Sequence, residues 1–246
     1  MPHTWLRALE AYRYLVKLAD FADAANYPGW FQYSSVPGDR DSTASFENHF
    51  RDHAQTSTKA WLEVVYWKLY SQPQHRDRIT RRVANHFTHE SVAPSDLYHA
   101  CAAYIGMPVR ENFDAFRRLF GFTTPAIAIA ATFPAFLMPQ TYPMVDTRIA
   151  KWVGACLTEH NVIDPAGPQL CAAPFLKSRR TNLTMADFAF MRSWTAWCNY
   201  TATKLSAKTD RAWRARDVEM AVFYAWGNRG RRHPMHPLNP IGPNTV

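Results

Sequence analysis

The sequence predicts an all-α protein, on three observations. Apolar residues recur every three or four positions along most of the chain, which is the period of an amphipathic helix. No stretch of useful length alternates Val, Ile or Thr with polar residues, as a half-buried strand would. Finally, 9 Gly against 17 Pro, with neither Gly-rich phosphate-binding motif, argue against a nucleotide-binding α/β enzyme. A chain of 246 residues with 47% hydrophobic content can form one large domain or two lobes.

The first half of the chain is predicted to be a series of scaffold helices. Four are expected, covering residues 4–24, 45–71, 76–87 and 96–105. Two Pro-Gly turns mark residues 26–44 as a loop. Ser95 is placed to cap the fourth helix, and Gly106 with Pro108 to end it.

The chain is organised around residues Asn112–Val153. The pattern predicts a helix, a tight turn at Gly121, a second helix rich in small residues, and a Pro-containing loop that leads to Asp146 at the start of a third helix. After a long connection over 156–183, Thr184 and Asp187 form a capping box before a strong helix. The helical segments then cover 185–205 and 211–226, and the tail 227–246 is expected to be disordered.

The turn at Gly121 is a candidate phosphate-binding site. Thr123 is expected to cap the second helix and Pro125 to lie in its first turn. Backbone N–H groups at such a helix start can point toward a phosphate. The alternative is an ordinary turn between two helices.

Asp146 is a candidate catalytic acid. It follows Pro143, Met144 and Val145 and precedes a helix, so the simplest interpretation is an N-cap. The two roles are compatible, because a helix start also fixes a carboxylate rigidly.

Together these features resemble the helix-hairpin-helix DNA glycosylase superfamily, typified by endonuclease III and the adenine glycosylase. The resemblance covers Asn112–Val153, and its most specific part is the segment Val145-Asp146-Thr147-Arg148-Ile149. It implies a two-lobed helical architecture in which the hairpin binds a DNA phosphate and the downstream acid serves glycosidic bond cleavage. On the positions that match, Gly121 is the hairpin glycine and Asp146 the catalytic acid.

The departures from the family pattern narrow the implied activity. Thr123 stands where the family has its second hairpin glycine, and Thr124 or Pro125 stands near the position of the lysine nucleophile. Neither residue can form a Schiff base, and the family's four-cysteine cluster is absent. The resemblance therefore implies a monofunctional glycosylase without iron–sulfur cluster or lyase activity, and it leaves open that only the fold is retained.

The charge distribution points to a polyanionic partner. From Phe175 onward lie 12 of the 28 Lys and Arg but only 4 of the 20 acids, so the whole net charge of +8 comes from this part. Such asymmetry favours nucleic acid. The residues predicted to contact double-stranded DNA are Gly121, Phe122, Thr123, Thr124, Arg148, Lys177, Arg179 and Arg180. The tail arginines Arg229, Arg231 and Arg232 are further candidates, although basic termini are commonly just solvated.

Other site types have weaker support. His86, His89 and His99 lack a recognised metal-ligand spacing, so we expect no metal and no cofactor. Cys101, Cys156, Cys171 and Cys198 are expected to be mostly buried thiols, since they form no C-x-x-C pair. No apolar run reaches the ~20 residues of a membrane helix, and a monomeric cytoplasmic protein is expected.

Three functions therefore remain open from the sequence. The first is a monofunctional glycosylase that flips a base and hydrolyses its N-glycosidic bond, with Asp146 as the essential acid. Trp61, Trp67 and Trp152 are candidates to stack on the base. The second is a non-enzymatic DNA-binding or damage-sensing protein with the same fold. The third is a helical protein in which Asp146 is only a cap and the partner is another protein.

Overall fold

The computed structural model describes four ranges of the chain, residues 2–14, 38–158, 166–173 and 182–226. Within these ranges the regular structure is helical, and the extended pairing is a single bridge between Tyr14 and Gly38. The predicted all-α class is confirmed. Its described helices are, in chain order, α1 Pro2–Glu10, α2 Arg40–His53, α3 Thr58–Leu69, α4 Pro73–His89, α5 Pro94–Gly106, α6 Arg110–Arg118, α7 Ile127–Ala130, α8 Thr132–Leu137, α9 Thr147–Thr158, α10 Met185–Ser206 and α11 Ala215–Ala225.

The chain divides into two compact units. One is the continuous segment Arg13–Leu137, which contains α2 to α8. The other combines Met1–Tyr12 with Met138–Val246 and contains α1 and α9 to α11. The hairpin region and Asp146, which lie close in sequence, therefore belong to different units.

The unit Arg13–Leu137 is built around a cluster of aromatic rings on α3. Trp61 is fully buried, and its ring lies 4.9 Å from that of Phe133 and 5.0 Å from that of Phe50. Phe120 stacks on Phe133 at 4.8 Å and so ties the segment after α6 to the same core. Because aromatic side chains bury large apolar areas, this cluster contributes strongly to the stability of the unit.

The other unit has a tryptophan-rich core. Trp5 of α1 contacts Trp197 of α10 and Trp213, with ring centroids 6.3 Å apart in both pairs. Trp194 and Trp197 stack at 5.3 Å, and Trp152 of α9 lies 5.2 Å from Trp197. The N-terminal helix is therefore part of this core although 125 residues of the chain separate it from the rest of the unit.

The predicted helix over 4–24 ends at Glu10, so the prediction is wrong for residues 11–14. Tyr14 instead donates its backbone N–H to the Gly38 carbonyl at 2.7 Å, and its ring lies 4.2 Å from that of Trp67. Pairing and packing with distant residues here outweigh local helix propensity. Residues 15–24 of this prediction, and most of the predicted loop 26–44, lie outside the described residues; the described end of that loop already belongs to α2, which begins at Arg40.

The single helix predicted over 45–71 is also wrong, because two helices cover this segment. Asp39 caps α2 by accepting from the Ser42 N–H, and Ser57 caps α3 by accepting from the Ala60 N–H at 3.3 Å. The indole Nε1–H of Trp61 donates to the Ala54 carbonyl at 2.7 Å, which satisfies a group left open at the end of α2. A buried side chain therefore stabilises the break.

Two further boundaries differ from the predictions. Ala93, not Ser95, precedes α5, and Asp96 accepts from the Ala93 N–H at 3.1 Å in place of a side-chain cap. The last helix begins at Ala215 rather than at residue 211, because Arg214 and Asp217 form the cap contacts. The helix after Pro73, the end of α5 at Gly106, and the Thr184–Asp187 capping box before α10 are confirmed.

Candidate functional site

The turn after α6 forms at Gly121, as the sequence predicts. Gly121 has φ +66°, and its N–H donates to the Arg118 carbonyl at 2.9 Å. A Cβ at this position would lie 2.6 Å from Cγ of His86 on α4. Glycine is required both by the left-handed backbone and by the close approach of the His86 ring.

Two arginines hold the segment that follows. Arg82 of α4 donates from Nη2 to the Gly121 carbonyl at 2.7 Å, and Arg117 of α6 donates from Nη1 to the Thr124 carbonyl at 3.0 Å. Arg117 is buried and pairs with Asp114, so it is fixed in place. Thr123 and Thr124 are exposed as a result, and we refer to residues 121–124 as the exposed turn.

Phe122 lies on the inner side of this turn. Its ring stacks on Phe120 at 5.5 Å with the planes 6° apart, and the residue is half-buried. Of the four residues of the turn that the sequence assigns to DNA contact, Phe122 therefore contributes packing, whereas Thr123 and Thr124 face solvent.

The prediction for the second helix of the hairpin is wrong in both its first residue and its length. The segment forms α7, of four residues, and α8, of six, and the residue before α7 is Ala126 at φ +44°. Thr123 is therefore not a cap and Pro125 is not in the first turn. The break has a physical reason, since Pro134 would interrupt one continuous helix but is tolerated near the start of α8. The segment therefore has no long second helix whose N-terminus could bind a phosphate.

A basic surface borders the exposed turn instead. Helix α4 carries Arg76, Arg78, Arg81 and Arg82 against one acid, Asp77, which pairs with Arg76 at 3.1 Å. The other three arginines are exposed, and none pairs with an acid among the described residues. We call Arg78, Arg81 and Arg82 the basic face. The overall charge distribution does not reveal this face, because acids elsewhere in the first 174 residues balance its charge; its local signal is the string RDRITRR.

Asp146 lies at the start of α9 and caps it, as one of the two predicted roles requires. Its Oδ1 accepts from the backbone N–H groups of Arg148 at 2.7 Å and Ile149 at 3.0 Å. The residue is half-buried, and Oδ2 accepts no hydrogen bond from the described residues. The carboxylate is therefore fixed by one oxygen while the other is left for a further partner.

The loop before Asp146 is fixed from behind by α10 and by the start of α11. Trp194 donates from Nε1 to the Met144 carbonyl at 2.9 Å, and Asn199 donates from Nδ2 to the Thr141 carbonyl at 2.7 Å. The backbone N–H of Ala215 donates to the Gln140 carbonyl at 3.0 Å. These contacts hold the loop without regular structure of its own.

The predicted basic contacts of the C-terminal part have mixed outcomes. The guanidinium of Arg148 lies over the Phe223 ring at 4.3 Å, which engages its charge within its own unit. Arg214 pairs with Asp217 at 2.8 Å. Lys177, Arg179, Arg180 and the tail arginines lie outside the described residues.

The remaining candidates have structural roles or no geometric support. Trp61, Trp67 and Trp152 are buried in the two cores, so their proposed stacking on a base is not available. In the described part of the chain no three His, Cys, Asp or Glu residues are grouped to hold a metal, and His86 packs against Gly121. Cys101, Cys156 and Cys198 are buried thiols, whereas Cys171 is exposed. No helix in the described ranges is both long and apolar enough to span a membrane.

No protein-family model, curated protein or solved structure matches this chain.

Proposed function

We propose that this protein binds double-stranded DNA, and that the basic face of α4 and the exposed turn contact its phosphates. The observation that carries the proposal is the basic face itself: Arg78, Arg81 and Arg82 are exposed and lack acidic partners among the described residues, and Arg82 contacts the turn. Arginine suits phosphate because its planar guanidinium can donate two hydrogen bonds. This mode of contact is sequence-independent.

The spacing of the basic face supports contact with a run of phosphates. With a rise of about 1.5 Å per residue, Arg78 and Arg82 are separated by roughly 6 Å along the helix axis. Arg82 also contacts the Thr123 hydroxyl at 3.4 Å, which links the charged face to the hydroxyl groups of the turn. Ser and Thr hydroxyls contribute to phosphate binding together with Arg and Lys.

The test is binding to a short duplex, measured by fluorescence anisotropy over a range of salt concentrations. The variant R78Q/R81Q/R82Q should lose roughly tenfold or more in affinity, and its slope of log K against log salt should fall by about 2 to 3. The matched control R40Q/R51Q/R110Q removes the same charge from α2 and α6 of the same unit. We expect the control to bind nearly as the wild type does.

Equal losses in the two triple variants would mean that net charge, and not the basic face, determines affinity. Absence of binding by the wild type at moderate salt would reject DNA as the partner. Affinity that depends on Lys177, Arg179 and Arg180 but not on α4 would place the contact in the C-terminal part and contradict this proposal.

A second candidate function is hydrolysis of an N-glycosidic bond with Asp146 as the acid. It is favoured by the geometry of this carboxylate, which is fixed through Oδ1 while Oδ2 accepts no hydrogen bond from the described residues. A base flipped out of the duplex would bring its sugar to the carboxylate, which would stabilise the oxocarbenium ion or activate water. The resemblance of the segment around Asp146 to helix-hairpin-helix glycosylases adds to this candidate.

The second function is tested by base release from a panel of damaged and mismatched duplexes, followed by alkali to cleave abasic sites. Wild type should release a base from one duplex, and D146N should release none while it binds DNA as well as the wild type. Binding without release from any duplex would leave the binding function alone. Release that persists in D146N would exclude Asp146 as the acid.

A further inference from the structure

A cluster of titratable side chains connects the end of α2 to the start of α3, apart from the basic face and from Asp146. His49 and His53 lie one turn apart on α2, with ring centroids 4.5 Å apart. Glu63 of α3 approaches His49, with 3.4 Å between Oε2 and Nε2, and Lys59 lies one turn before Glu63, with 3.7 Å between Nζ and Oε1. These contacts span the short break between the two helices, residues 54–57.

The Glu63 carboxyl is in an unusual position for an acid. Its side chain is only 2% exposed, and its polar neighbours among the described residues are His49 and Lys59 at ion-pair rather than short hydrogen-bond distances. A buried carboxylate without strong donors is costly, whereas the neutral acid is tolerated and can itself donate a hydrogen bond. The geometry therefore favours a protonated Glu63 that donates to His49.

The charges that face the pair support this arrangement. Burial raises the pKa of Glu63 to about 7, and Lys59 and His53 only partly oppose that effect. Burial also lowers the pKa of His49, assisted by the charges of His53 and Lys59 and opposed by Asp52. Burial and these neighbouring cations disfavour the imidazolium form of His49, so His49 is a poor counter-ion for an ionised Glu63.

We propose that the His49–Glu63 contact is a proton-controlled connection between α2 and α3, which holds when the Glu63 carboxyl is protonated and loosens when it ionises. Loss of the proton leaves a buried anion against an imidazole that burial makes a poor counter-ion. The cation that remains near it is Lys59, which lies closer to solvent. The carboxylate then moves toward Lys59 and the surface. Residues 54–57, which form the break between the two helices, change conformation as a result.

The residues of the break provide a local reporter. Trp61 lies two residues before Glu63 on α3. Its indole N–H donates to the Ala54 carbonyl at the end of α2. Nuclear magnetic resonance can follow this indole N–H and the His49 ring protons of the full-length protein from pH 5 to 9. Both should shift with a common midpoint near pH 7.

Three variants make the test specific. E63Q keeps the shape of the side chain but cannot ionise, so the common transition should disappear and His49 should titrate in a single step. K59Q removes the cation that opposes the effect of burial, so the midpoint should move to higher pH. D52N changes only a charge near His49 and should leave the transition of the Trp61 N–H in place.

A Trp61 N–H that is unchanged between pH 6 and 8 in the wild type would overturn the proposal. So would a transition that persists in E63Q, because the titrating group would then be another residue. If E63Q does not fold, the midpoint of the pH transition in K59Q provides the test. A midpoint that is unchanged or lower than in the wild type contradicts the assignment of the transition to Glu63.

Discussion

At the scale of single residues, Asp146 has a structural role that can be separated from the chemistry proposed for it. The cap uses Oδ1 and two backbone N–H groups of α9, and this part of its role is independent of any catalysis. Asn retains a side-chain oxygen for the same hydrogen bonds, whereas Ala does not. Comparison of these two substitutions therefore separates the cap from the charge.

We expect D146A to lower the free energy of unfolding by about 1 kcal/mol and D146N to lower it by much less, because Asn is as good an N-cap as Asp. Denaturant unfolding of the three proteins measures this difference. Equal destabilisation by both substitutions would mean that the negative charge at the start of α9, rather than the hydrogen bonds, is the stabilising factor.

Glu63 gives a second prediction, on the pH dependence of stability. Its pKa is raised from the ordinary 4.5 to about 7, so the folded state binds this proton more tightly than the unfolded state. The protonated Glu63 therefore makes its full contribution to the free energy of unfolding below about pH 4.5, and this contribution is lost as the pH rises to about 7. His49 acts in the opposite direction, since its lowered pKa removes stability as the pH falls below 6.5.

The free energy of unfolding of the wild type, relative to that of E63Q, should fall by up to about 3 kcal/mol between pH 4.5 and 7.5. Using the difference between the two proteins cancels the titration of groups that do not interact with Glu63. Urea unfolding at half-unit pH steps provides the values. A difference that is constant over this range would contradict the raised pKa.

At the scale of elements, the turn at Gly121 depends on both its backbone and its neighbour. G121A should destabilise the protein by roughly 1–2 kcal/mol from the left-handed conformation alone, with an added cost from the overlap with His86. Removing the ring should relieve only the second cost. The loss caused by G121A should thus be smaller in an H86A background than in the wild type.

A double-mutant cycle on thermal or denaturant unfolding measures this coupling. Full additivity of the two substitutions would mean that the turn can move away from α4 without cost. In that case the Arg82 contact to the Gly121 carbonyl would also be expendable, and R82Q would leave stability unchanged.

The helices also show where sequence patterns lose accuracy. The helical periodicity over 45–71 is real, but Ser57 and the Trp61 indole stabilise a break within it. The Ala-rich segment after Gly121 has good helix propensity, but Pro134 divides it into α7 and α8. In both cases one local feature, either a single contact or a single missing N–H group, determines where the helix ends. Hydrophobic periodicity is a property of a whole segment and does not detect such a feature.

At the scale of the whole molecule, the chain is divided into a continuous and a discontinuous unit. The discontinuous unit needs α1, because Trp5 contacts Trp197 and Trp213 in its core. W5A should destabilise this unit by about 3–5 kcal/mol, as large-to-small core substitutions do. Amides of α10 and α11 should then exchange hydrogen faster.

Hydrogen exchange read by mass spectrometry resolves the two units within the same molecule. Peptides from α3 and α8 belong to the other unit and serve as the internal control. The reciprocal variant F133A removes a ring from the cluster around Trp61 and should produce the opposite pattern. Uniform acceleration in either variant would mean that the two units unfold together.

The sequence by itself determined the all-α class, the turn at Gly121, the capping box of α10 and the cap at Asp146. These features follow from local signals, namely helical periodicity, a glycine at positive φ and acceptor side chains at helix starts, each of which acts within a few residues. The chemistry assigned to Asp146 and the DNA partner are proposals that rest on these signals and on charge.

Only the tertiary structure decided the rest. It ended α1 at Glu10, exposed three arginines of α4 that pair with no acid among the described residues, joined one of them, Arg82, to the exposed turn, buried the tryptophans assigned to base stacking, and brought Glu63 to His49. The physical reason is common to these cases. Burial, pairing and the environment of a charge depend on residues far apart in the chain, so neither a local pattern nor an average composition contains them.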